Sequence, residues 1–224
     1  HVDKVLVHGD PRLVRFDLTF PLATEIAGKL DYTGFVVERL AQPSATLDRA
    51  KGEILVSAGG GAVGFPLLSA AIRARKLTRY RHRTWRVITG GNLPAAQRQE
   101  LDRLAGGDPG IVIESFRPDF ARLLAGCQLS VSQAGYNTVM ELIALKCPAV
   151  VVPFAEGGES EQTLRARVLT ERKVLGMVDS EFLTPGTLAA AVDAAQPPAP
   201  LELNLDGAAH SAADLVAAWT QARR

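Results

Sequence analysis

From residue 53 onward the chain alternates between short apolar runs and longer stretches whose apolar positions recur at helical spacing. EILVSA leads through GGGAVG into FPLLSAAIRARKL, WRVITGG into LPAAQRQELDRLAGG, and GIVIESF into RPDFARLLAGC. LSVSQAG then leads into NTVMELIALKC, AVVVPF into SEQTLRARVLTERK, and LGMV into LTPGTLAAAVDAA. Runs that are apolar on both faces, each followed by a helical stretch, predict parallel strands covered on both sides. The expected fold class is therefore α/β, a doubly wound parallel sheet of Rossmann-like type over 53–200. Local signals agree with it. Asn92 can cap a helix with Pro94 in its first turn and Gly106 at its end, and Thr184 can cap another with Pro185 in its first turn.

The flanks are less regular. Residues 1–40 hold two short strand-like runs, KVLVHGD and YTGFVV, too little for a core of their own, and read as the tail of a preceding N-terminal domain. LAQPSATLDRAKG is polar and turn-rich, which makes 41–52 a linker. Residues 201–224 supply a final helix, HSAADLVAAWTQARR, after a proline-rich connection. The first residue is His1, and no charged-then-apolar leader precedes the first strand, so the expectation is a fragment whose preceding domain is missing.

Composition removes some function classes. With 47% hydrophobic and 22% charged residues and a net charge of +1, there is core material but no electrostatic case for nucleic acid as a partner. No apolar run approaches the roughly 18 residues that a membrane span needs. The basic, aromatic-bearing stretch RARKLTRYRHRTWR at 73–86 reads as a solvated surface, with a membrane-surface contact as the alternative. Cys127 and Cys147 have no partners at metal-ligand spacing and read as two reduced, buried thiols of a cytosolic protein.

Ligands of open parallel sheets bind beyond the carboxyl ends of the strands. Three strand-to-helix loops here are rich in small residues: SAGGGAVG, SQAGYNT and FAEGGESEQ. Gly59, Gly60 and Gly61 open a helix as phosphate-binding loops do, but lack the spacing of a dinucleotide site or a P-loop, so tight-turn packing and ligand contact both stay open. In the second loop Gly135 allows close approach, and Asn137 and Thr138 start a helix whose free N–H groups attract anions. Glu141 then reads in two ways. It closes a capping box with Thr138, or it is a carboxylate placed to accept hydrogen bonds from a vicinal diol. The third loop carries Glu156, Glu159, Glu161 and Gln162; its spacing matches no metal pattern, and its acids suit neutral hydroxyls better than a pyrophosphate.

SAGGGAVG after a strand, SQAGYNTVMELIALKCPAVVVPF, and a loop ending EQTLRA together resemble the C-terminal half of MurG-like glycosyltransferases over roughly residues 30–180. That family folds as two Rossmann-like domains facing a cleft, the GT-B architecture. The resemblance implies an enzyme moving a sugar, N-acetylglucosamine first among the choices, from a UDP-sugar to an acceptor with inversion. It implies no cofactor and no essential metal, because helix dipoles stabilise the departing diphosphate. It places Tyr136, Asn137 and Thr138 at the diphosphate, with Gly60 and Gly61 on the other side. It places Glu141 on the ribose, Phe116 and Arg117 beside the uracil, and Glu161 and Gln162 on the donor sugar's hydroxyls. The acceptor site and the catalytic base belong to the N-terminal domain, so no catalytic residue is expected in this chain, which should bind donor without turning it over. A lipid-linked acceptor and a cytoplasmic protein peripheral to the inner membrane face follow from the same resemblance. The family often has Gln where Glu161 stands and Ser where Gly61 stands, and an arginine of its pattern falls near Glu38 or Arg39. These departures leave another nucleotide sugar open. A sugar-nucleotide epimerase or hydrolase, and a non-catalytic donor-binding subunit of a split transferase, are the rival readings.

Overall fold

A computed structural model of the chain describes residues 2–37, 48–60, 62–154 and 161–222. The chain divides into two compact units, one formed by 1–39 with 200–224 and the other by 40–199.

The larger unit is the doubly wound sheet. Its strands are β3 (Ile54–Ser57), β4 (Trp85–Ile88), β5 (Ile111–Glu114), β6 (Leu129–Gln133), β7 (Ala149–Val152) and β8 (Gly176–Met177). All pair in parallel, in the order β5-β4-β3-β6-β7-β8. The helices that connect and follow them are α1 (Phe65–Ala74), α2 (Ala95–Ala105), α3 (Phe120–Gly126), α4 (Tyr136–Ala144), α5 (Glu161–Glu171) and α6 (Pro185–Ala194). The chain builds outward from β3 to β5, returns to lay β6 on the other side of β3, and builds outward again. Loops leaving β3 and β6 therefore diverge, and a crevice opens between them. Ser57, the last residue of β3, lies in register with Ser132 of β6.

Packing follows the apolar pattern. Ile54, Val56, Val87, Val131 and Val150 of the strands, with Leu68 and Ile72 of α1 and Leu188 and Val192 of α6, form one buried cluster. Trp85 is fully buried within it, and its indole N–H donates to Tyr80 O at 3.2 Å, so the ring brings no orphan donor inside. Cutting a side chain such as Leu68 back to Ala in a core of this kind costs about 2–5 kcal/mol.

Local expectations fare unevenly. Thr184 caps α6 with Pro185 in the first turn, as its sequence suggested. Asn92 does not cap α2: Pro94 holds the N-cap position, and Asn92 N–H instead donates to Gly60 O at 3.0 Å. Gly106 ends α2 in the left-handed conformation at φ 59°. Cys127 and Cys147 are both free and buried, with their Sγ atoms 3.4 Å apart. The basic stretch is partly tied down. Arg75 pairs with Asp108 at 2.6 Å, and Arg86 forks onto Glu53 and reaches Glu114. Of the linker expected at 41–52, residues 41–47 lie outside the described ones. Arg49 donates to three carbonyls, those of Leu124, Cys127 and Leu145.

The smaller unit pairs β1 (Val5–Val7) with β2 (Leu30–Tyr32) in parallel and carries α7 (Gly207–Ala222). Lys4 Nζ lies 2.7 Å from Asp31 and 2.9 Å from Asp214, with His210 Nε2 3.3 Å from Asp31. Bonds from Lys4, then Asp214 and His210, pull the Asp31 carboxyl down to about 2. The lysine ammonium already supplies the positive charge that this carboxylate pair attracts. Among the described residues no helix is long and apolar enough to cross a membrane.

Candidate nucleotide-sugar site

The crevice between the β3 and β6 loops is a cavity of about 380 Å³. Ser57, Gly59 and Gly60 line it from β3, and Ile88, Gly90, Gly91 and Asn92 from β4. Ser115, Phe116, Arg117 and Phe120 contribute from β5 onward, and Asn137, Thr138 and Glu141 from α4.

Its wall on the β6 side is a helix start without a lid. α4 begins at Tyr136 with Gly135 as N-cap, and no side chain caps it. Thr138 is thus the third helical residue and not the cap, so the capping box that its spacing with Glu141 allowed is not formed. The first hydrogen bond of the turn runs from Val139 N–H to Gly135 O at 3.0 Å. The amides of Asn137 and Thr138 have no acceptor among the described residues. A helix start in this condition directs N–H groups and the positive end of the helix dipole at whatever enters. Glu141 lies one turn further along, on the same wall.

The opposite wall explains its glycines individually. Gly59 is left-handed at φ 55°, a conformation that L side chains rarely adopt. A Cβ on Gly64 would collide with Ala58 Cβ, so that glycine serves packing. At Gly60 a Cβ would meet only Asn92 Nδ2, at 3.5 Å, an ordinary contact. The fold does not require Gly60, and access to the cavity is what its small size provides. Gly61 lies outside the described residues, as do Glu156, Glu159, Glu38 and Arg39.

At the third side Phe116 stands at the mouth, 73% exposed. Arg117 beside it is fixed by Asp119 at 2.8 Å and by Glu114 at 3.3 Å. Glu114 is also bonded by Arg86 at 2.7 Å. Burial pushes the Glu114 carboxyl up, but the Arg86 bond and the charges of Arg86 and Arg117 outweigh it and leave the group below its usual range.

The structure thus gathers Gly60, Phe116, Arg117, Asn137, Thr138 and Glu141 around one cavity, with Gly135 and Tyr136 forming the helix entry next to it. Glu161 and Gln162 do not line it. Glu161 Oε1 accepts from Arg165 at 2.6 Å, and Gln162 Oε1 accepts from Phe154 N–H at 3.2 Å. The TGGN turn after β4 and the floor residue Ser57 escaped the sequence reading. The signal is present as a second Gly-Gly pair at a strand end, but Asn92 beside it carries the pattern of a helix cap.

The family model of the glycosyltransferase family 28 C-terminal domain matches residues 55–217, and the chain belongs to that family. A UDP-N-acetylglucosamine–N-acetylmuramyl-(pentapeptide) pyrophosphoryl-undecaprenol N-acetylglucosamine transferase of Nitrosomonas eutropha is 27% identical over 78% of this chain and 50% of its own length. The same enzyme of Granulibacter bethesdensis is 35% identical over 36% of this chain and 21% of its own. Where the match is long, then, the chain spans about half of a curated relative. A crystal structure of MurG from Acinetobacter baumannii shares the fold at a TM-score of 0.56 and 17% identity, covering 84% of this chain and 63% of that one.

Proposed function

We propose that this chain is the donor-binding part of an inverting glycosyltransferase that takes a UDP-sugar, with UDP-N-acetylglucosamine as the first candidate. The observation that carries the reading is the uncapped start of α4, with two amides that have no acceptor among the described residues and Glu141 one turn later, on the wall of a cavity at the sheet's switch point. The diphosphate lies against the amides of α4, where each N–H gains an acceptor and the dipole contributes about 0.3–1 kcal/mol or more. Glu141 accepts from the ribose hydroxyls. Phe116 and Arg117 border the base at the mouth of the cavity.

In this reading catalysis by the domain is electrostatic. When an acceptor hydroxyl attacks the anomeric carbon from the face opposite the diphosphate, the C–O bond to the diphosphate breaks and its oxygen gains negative charge. Fixed N–H groups stabilise that charge as it develops, without a divalent cation. The acceptor and the base that removes its proton are assigned to the other domain of the transferase. The relatives' lipid-linked acceptor, a pyrophosphoryl-undecaprenol, makes an acceptor presented at a membrane surface the natural choice, with the protein on its cytoplasmic side.

The reading is tested by calorimetric titration of the purified chain with UDP and UDP-N-acetylglucosamine, with and without EDTA. Saturable binding unchanged by EDTA is expected. Heat flow at the level of buffer for every uridine nucleotide, or binding that EDTA abolishes, overturns it.

A further inference from the structure

Among the described residues Arg165 is the one buried cation, its side chain only 7% exposed. A charge removed from water is costly unless its hydrogen bonds are met. Its partners here straddle one short turn. Nη2 donates to Ala134 O at 3.2 Å, the last residue before the α4 cap, and the guanidinium lies 5.7 Å from the ring centre of Tyr136, the first helical residue. Nη1 donates to Glu161 Oε1 at 2.6 Å, on the first residue of α5. Nε is buried and has no partner among the described residues. An interior selected for stability alone would carry a well-packed apolar side chain at such a position rather than an incompletely bonded charge.

We propose that Arg165 is a positioning residue for the nucleotide-diphosphate site, an inference that rests on the function proposed above. It holds the Ala134 carbonyl on the interior side of the β6–α4 turn, so that the turn presents N–H groups to the cavity with no carbonyl oxygen facing the incoming anion. Stacking against Tyr136 fixes the first helical residue in the same orientation. Through Glu161 the same guanidinium couples that turn to the start of α5. Glu161 then serves as counterion of the positioning residue, and its Oε1 is committed to Arg165 rather than to a sugar hydroxyl. Lysine cannot replace it fully, because a single ammonium does not form the planar fork that reaches Ala134 O and Glu161 together.

The test compares wild type with Arg165→Met, Arg165→Lys and Glu161→Gln in the whole chain. UDP affinity is measured by calorimetry well below each protein's unfolding temperature, and the backbone amide resonances of 135–138 are recorded without ligand. Expected are a loss of UDP affinity of about tenfold or more for Arg165→Met, partial recovery in Arg165→Lys, and displaced apo resonances at 135–138 in Arg165→Met. Glu161→Gln keeps the contacts to Ala134 and Tyr136, so it should lose less affinity than Arg165→Met. A folded Arg165→Met that binds UDP within twofold of wild type overturns the proposal. If Arg165→Met does not fold, Arg165→Lys decides: unaltered affinity and unaltered resonances at 135–138 overturn it. If wild type itself binds no UDP, the functional reading fails instead. Resonances at 135–138 that stay in place in the variants then overturn the positioning role independently.

Discussion

The larger unit contains two helix starts built in opposite ways. At α6, Thr184 Oγ1 accepts from Thr187 N–H at 3.1 Å while Thr187 Oγ1 accepts from Thr184 N–H at 2.9 Å. Pro185 occupies the first helical position, where it has no N–H to satisfy. That start is closed and asks nothing of a ligand. At α4 the cap is Gly135, no side chain closes it, and the free amides adjoin a cavity. Both sequences offered capping chemistry: Thr-Pro-Gly-Thr in one, Thr-Val-Met-Glu in the other. The difference is one of register. α4 begins two residues before Thr138, which moves the threonine inside the helix and leaves the cap position to Gly135. Capping residues spent inside the helix, on a start left open, are what distinguish a binding end from a structural one.

That contrast breaks most readily at Glu141. Glu141→Ala should weaken UDP binding by about ten- to hundredfold, the loss of hydrogen bonds to a charged group at about 1.5–3 kcal/mol. Its unfolding temperature should stay near wild type, because no cap is lost; calorimetry and thermal denaturation together check this. A stability loss with intact binding would restore the capping reading. Next in size, Gly60→Ala should reduce UDP affinity several-fold with stability within about 0.5 kcal/mol, since the added Cβ meets only an ordinary contact in the apo fold and occupies ligand space. Thr184→Ala should do the reverse. It should cost about 1 kcal/mol of stability, read as a drop in unfolding temperature, and leave UDP affinity unchanged.

The smallest effect expected concerns pH at the third wall. The folded Glu114 carboxyl titrates below its unfolded value, so its contribution is present above the unfolded pKa and is lost as pH falls through the folded one. Wild type should therefore lose stability between about pH 5 and 3 more steeply than Glu114→Gln, while the two run parallel above pH 6. Parallel curves throughout would show that Arg86 and Arg117 do not hold this carboxylate.

Much of the fold was legible in the chain because the apolar runs that become the central strands β3, β6 and β7 are buried on both faces, and parallel strands of that kind carry an unambiguous pattern. The loops were less so. SQAGYNT announced an anion-binding turn, but whether Thr138 caps or contributes an amide depends on where the helix begins, a matter of two residues that propensity does not resolve. Asn92 looked like a cap for the same reason and proved to bind Gly60 O across the cavity. Arg165 could not be found from its own neighbourhood: in EQTLRARVLTE it reads like its neighbour Arg167, as a surface arginine. Only the packing of α5 against the β6–α4 turn buries it. Side chains whose role is set by long-range contact leave no local signature, whereas residues that shape a loop do.

The most direct measurement is a backbone amide titration of the ¹⁵N-labelled chain with UDP. The Asn137 and Thr138 N–H resonances should shift among the most strongly, in a saturable way and together with Glu141. Saturation with UDP that moves resonances elsewhere and leaves those two amides where they began would contradict a diphosphate seated at the open end of α4.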